Sequence, residues 1–130
     1  MTHALLADAL LVVHGLFIAW VVLGGIAVWF RLWLAALHLP AAAWGVWIEW
    51  SGGICPLTPL EQRLRQAAGE GGYSGGFIEH YLGATIYPEG LTRDAQWTIG
   101  LFVLLLNAAV YTAILVRRAA RRRAARRRCL

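Results

Sequence analysis

Residues 4–30 read ALLADALLVVHGLFIAWVVLGGIAVWF, and Asp8 and His14 are their only strongly polar side chains. About 25 such residues at 1.5 Å each form a helix of roughly 37 Å, enough to cross a bilayer with tilt. Met1-Thr2-His3 offers no basic n-region and no clean small-x-small site follows, so a retained span is expected rather than a cleaved signal peptide. Working outward, a second apolar stretch covers residues 32–53, interrupted by His38, Pro40 and Glu49, with Arg31 the only charge in the tight hairpin between the two. A third covers residues 95–116, opened by Thr92-Arg93-Asp94 as an N-terminal cap and closed by Arg117-Arg118.

Composition agrees. The 130 residues suffice for one domain, and 59% hydrophobic against 15% charged side chains is too apolar for an ordinary soluble fold. All twelve basic residues are Arg, and eight of them fall in the last fourteen positions, leaving the rest of the chain at net −3. The high pI therefore describes a tail, and a folded module for specific nucleic-acid recognition is not expected. Cys55 and Cys129 are too few for a disulfide scaffold.

Positive-inside counting places the Arg-rich tail, residues 117–130, in the cytoplasm with Arg31, and the N-terminus and residues 54–93 outside, nine Arg against three. Trp29 and Trp33 then fall at the inner interface, and Trp47, Trp50 and Trp97 at the outer one. In the outer segment, Thr58-Pro59-Leu60-Glu61 has capping-box spacing, so residues 59–68 are expected as a short helix ended by Gly69, with Glu61 and Arg65 paired at i, i+4. Leu57, Leu60 and Leu64 give that helix an apolar stripe, which suggests that it lies at the membrane surface or caps the bundle. A second short helix is expected over residues 77–87, before Pro88 and Gly90; the Glu79-His80 pair argues against a fourth crossing there. The expected architecture is all-α and membrane-integral: three transmembrane helices (5–29, 32–53, 95–116) with two short helices forming an outer cap, all one domain over residues 1–116.

Several elements, namely Cys55-Pro56-Leu57-Thr58-Pro59-Leu60-Glu61, Leu64-Arg65, Tyr73 with Gly75-Gly76-Phe77-Ile78-Glu79-His80-Tyr81, and Ile86-Tyr87-Pro88, resemble a family of small bacterial membrane proteins known as domain of unknown function 2784. Leu37-His38-Leu39-Pro40 and the surroundings of His14 are similar too, so the resemblance covers nearly the whole chain except the Arg tail. It implies a fold, but no activity.

Ionisable groups inside a span are costly and ask for partners. Counted from the hairpin at residues 30–31, His14 and Glu49 lie about 16 and 18 residues along their helices, a difference of roughly 3 Å, so they are expected to meet in the outer half. By the same count His38 is expected near Asn107, with Tyr111 one turn away. His38, Ala42, Gly45 and Glu49 share one face of their helix, which marks it as the packed one. With Glu79 and His80 above, His14, Glu49 and His80 would form a nitrogen and oxygen set suited to zinc, copper, iron or manganese, or would supply an axial ligand to haem. No His-x-x-x-His or Cys-x-x-Cys spacing supports such a site, and interhelical hydrogen bonds of about 1 kcal/mol each are the plainer account of these residues. Cys55 is expected to be packed or to link two copies, since Cys129 is expected across the membrane. Arg117, Arg118, Arg121, Arg122 and Arg123 are expected to continue the last helix and attract anionic lipid at roughly 1 kcal/mol each. Without a reaction motif, the sequence reads as a non-enzymatic accessory or scaffold subunit that joins a larger membrane partner or a homo-oligomer. The alternative is a metal- or haem-binding membrane redox protein.

Overall fold

The computed structural model describes residues 2–71 and 92–128, and these form four α-helices: α1 Thr2–Phe30, α2 Ala35–Ser51, α3 Leu57–Ala67 and α4 Arg93–Arg128. The second outer helix expected over residues 77–87, and with it Tyr73, Glu79, His80, Tyr81 and Tyr87, lies outside the described residues.

The hairpin between α1 and α2 is as tight as the sequence suggested. Arg31 is extended (φ −134°, ψ 94°), and a single 3-10 turn, Leu32–Leu34, feeds directly into α2. That turn replaces the start expected for the second apolar helix, which begins at Ala35 and ends where Gly52 adopts a left-handed conformation (φ 68°). Such a position favours glycine because a Cβ there is sterically opposed. Arg93 lies over Gly52 and donates from Nη2 to the Trp50 carbonyl at 2.8 Å. A guanidinium on the last carbonyls of a helix satisfies orphan acceptors and complements the negative end of its dipole. Thr92 acts as the sequence implied: its Oγ1 accepts from the Ala95 backbone N–H at 3.2 Å, an N-cap that starts α4. α4 then runs unbroken for 36 residues, about 54 Å, through the Arg run to Arg128.

α1, α2 and α4 pack against one another, and α3 folds back along α1. Close approach depends on small residues. A Cβ on Gly45 would touch Val21 at 3.1 Å, one on Gly25 would meet Val110 at 2.9 Å, and one on Gly100 would press on the Trp50 indole. Among the glycines inside the helices the tightest is Gly24, where a Cβ would collide with the His38 ring. α1 and α4 are long and apolar enough to cross a membrane. Within their most apolar windows only 28% and 22% of residues are buried, so most of their large side chains, such as Leu16, Leu23, Phe102 and Leu105, face outward instead of into a core.

α3 departs from expectation at its start. It begins at Leu57, so Thr58 lies inside the first turn and makes no capping bond; the helix carries no side-chain cap. Its apolar stripe is not its most buried face, for Leu57 and Leu64 are only half-buried. Thr58 and Glu61 are fully buried while Leu60 is 47% exposed, so the helix turns its polar side inward. The physical reason is that α1 presents Asp8 and His14 to it, and an arginine carboxylate system satisfies them where leucines could not.

Gly24→Ala should lower stability by about 1–3 kcal/mol, because His38 is held on both sides and cannot yield. Thermal unfolding in detergent measures this, with Gly71→Ala, where a Cβ would meet none of the described residues within 4 Å, as the control expected to change nothing.

Candidate functional site

Two polar clusters occupy the otherwise apolar bundle, one toward each end. At the hairpin end, His38 of α2 is completely buried and edge-on to Trp20, with ring centroids 5.5 Å apart. Its Nε2 lies 3.3 Å from the Val21 carbonyl oxygen, and its Nδ1 lies 2.9 Å from the Tyr111 hydroxyl. A carbonyl can only accept, so Nε2 carries a proton and donates it there, while Nδ1 shares its hydrogen bond with the Tyr111 hydroxyl. Asn107 donates from Nδ2 to the same Val21 oxygen at 3.1 Å and to Val103 O at 2.9 Å. One backbone oxygen of α1 thus receives α2 and α4 together. Asn107 Oδ1 is buried with no hydrogen-bond partner among the described residues.

The structure brings His38, Asn107 and Tyr111 to one level, with Tyr111 the direct partner of His38 and Asn107 joined to it through Val21. The Val21 carbonyl was not foreseeable as an acceptor. The fit of His38 against Gly24 had a signal, because each stands seven residues from Arg31, on opposite arms of the hairpin.

At the other end α3 packs along α1 and brings the Glu61 carboxylate within electrostatic reach of His14, a neighbour that the expected pairing with Glu49 did not include. Glu49 Oε2 is buried without a hydrogen-bond partner among the described residues, as is Trp50 Nε1 beside Gly100. Trp50 stacks on Trp97 with centroids 5.2 Å apart, so the two expected interface tryptophans meet. Arg65 organises the outer cluster. It reaches Glu61 at 2.9 Å, as its i, i+4 spacing implied, and also Glu70 at 3.0 Å and Asp8 at 3.2 Å. The Asp8 contact ties α3 to α1 and escaped the sequence reading. Thr58 Oγ1 is buried in this region without a hydrogen-bond partner among the described residues.

Chemically, the outer cluster is an arginine holding three carboxylates beside an imidazole, and the inner one is a hydrogen-bond junction on one backbone oxygen. Among the described residues no group of three His, Cys, Asp or Glu side chains converges as a metal site, and the proposed ligand His80 with its neighbour Glu79 lies outside them. Cys55 is a free, half-buried thiol whose backbone oxygen accepts from the Thr58 N–H at 2.9 Å, with Pro56 entering α3. At the far end of α4, the Arg117 guanidinium sits 4.8 Å from the centre of the Trp29 ring.

Fold and clusters together define a helical-bundle protein with two helices of membrane-crossing length and polar groups locked between them. The chain belongs to the family Protein of Unknown function (DUF2784), whose model matches residues 4–112. No curated protein and no solved structure matches it. The matched span holds both polar clusters and ends one residue after Tyr111, so the arginine run lies beyond it.

Arg65→Met should cost about 3–5 kcal/mol, since it leaves the Glu61 carboxylate, 1% exposed, without its guanidinium. Asp8→Asn, at a side chain 61% exposed, should cost no more than about 1 kcal/mol. Unfolding curves in detergent separate the two, and equal losses would refute the burial argument.

Proposed function

We propose that this chain is a three-span protein of the bacterial cytoplasmic membrane that serves as a non-enzymatic accessory or scaffold subunit of a larger assembly. The observation that carries the reading is the reversed polarity of α3, which buries Thr58 and Glu61 and turns Leu60 outward. An outer helix that presents leucine to its surroundings is suited to packing against another membrane protein. The third span is α2. Its 17 residues give about 26 Å, and the preceding 3-10 turn adds roughly 6 Å, which together match a hydrocarbon core of about 30 Å. The excess of Arg at the hairpin end supports a cytoplasmic tail and an external N-terminus.

The two cysteines report sidedness. In intact cells a membrane-impermeant thiol reagent should label a variant retaining only Cys55, and should reach a variant retaining only Cys129 after permeabilisation alone. Labelling of Cys129 in intact cells would overturn the orientation.

Isolation of the tagged protein in mild detergent should recover a stoichiometric larger partner, and Leu60→Glu should release it while leaving helicity unchanged. Repeated recovery of a lone monomer would overturn the scaffold reading. Stoichiometric metal or a Soret band in the purified protein, lost in His14→Ala, would replace it with the metal or haem redox reading.

A further inference from the structure

At the hairpin end, residues of α1 and α4 line two recesses that share two residues. One, of about 520 Å³, is lined by Trp29, Phe30 and the guanidinium-bearing residues Arg117, Arg118, Arg121 and Arg122. The other, of about 500 Å³, shares Trp29 and Phe30 and continues along Ile26, Ala109, Val110 and Ala113. Four cations thus adjoin an apolar trough, with two aromatic residues common to both.

The four arginines stand within about 140° of arc on α4, at i, i+1, i+4 and i+5. Like charges spaced i, i+4 repel. None of the four has an acidic partner among the described residues, where Arg65 makes every recorded ion pair. Arg117 is turned toward α1 by its contact with Trp29. Arg123 and Arg127 line a separate recess with Val116 and Ala119, so the tail divides its charge between two faces, and only one adjoins the trough.

We propose that these two recesses form one binding site for an anionic phospholipid, with its phosphate among Arg117, Arg118, Arg121 and Arg122 and an acyl chain lying over Ala109 and Ala113. The ligand chemistry follows from the lining. Arginine matches phosphate oxygens by paired N–H donors, and a trough floored by alanines accepts a hydrocarbon chain but no headgroup. The proposal rests on the membrane reading above and narrows its general lipid attraction to a site with a shape.

The test uses the full chain in mild detergent, where sidedness plays no part, so it fails or succeeds independently of the thiol-labelling experiment. Native mass spectrometry counts bound lipid during titration with phosphatidylglycerol, phosphatidylcholine or glycerol 3-phosphate. One phosphatidylglycerol should be retained in preference to phosphatidylcholine. Replacing Arg117, Arg118 and Arg121 together by Gln should weaken it by about tenfold or more. Replacing Arg126, Arg127 and Arg128 by Gln removes the same charge and should change it by no more than about twofold. Ala113→Trp, at an exposed position that need not disturb the bundle, should abolish retention with every arginine in place. Equal weakening by the two triple variants would mean diffuse attraction and overturn the site. So would retention that survives Ala113→Trp, or competition by glycerol 3-phosphate as strong as that by the lipid.

Discussion

The carbonyl oxygen of Val21 is where the three long helices meet. It accepts from His38 of α2 and from Asn107 of α4, and it does so in an apolar stretch of α1 toward the hairpin. Between apolar helices in an apolar surrounding, burial gives little preference for one register over another, whereas a donor left without its acceptor costs free energy. Gly24 and Gly25 let both donors come close enough, and the Val21 carbonyl, which can only accept, places a proton on His38 Nε2. The level of α2 and α4 against α1 follows from this junction.

The other end is held by charge. α3 would be an unremarkable amphipathic helix if its leucines faced the bundle, but Arg65 draws it the other way by joining Asp8 on α1 to Glu61 and Glu70 on α3. Arg93 performs the matching task between α2 and α4, closing the end of one helix from the start of the other. Each of these two helix contacts is thus secured by one arginine, and the family match covers both.

The apolar stretches were legible in the sequence because length and hydropathy leave little alternative for runs such as residues 4–30. Depth counting from the hairpin also worked where nothing intervened, as at His38, Asn107 and Tyr111. It did not foresee Glu61 beside His14, because counting along two helices says nothing about a third. The orientation of α3 was hidden for a different reason. Leu57, Leu60 and Leu64 make one stripe and Thr58, Glu61 and Arg65 another, offset by one residue or about 100°. Both have helical spacing, and the polar stripe becomes the inner one only when the charge on α1 is known to face it.

Because α4 has no break, its two ends share one rotational phase. Asn107, Tyr111, Ile114 and Arg118 follow one another at intervals of four, three and four residues, which keeps them on a single stripe of the helix. The azimuth of the arginines around α4 is therefore set by the Val21 junction, more than two turns away. The helix behaves as a rigid shaft, keyed at one level and carrying its charged face at another. Any rotation that broke the key would swing Arg117 off Trp29 in the same movement.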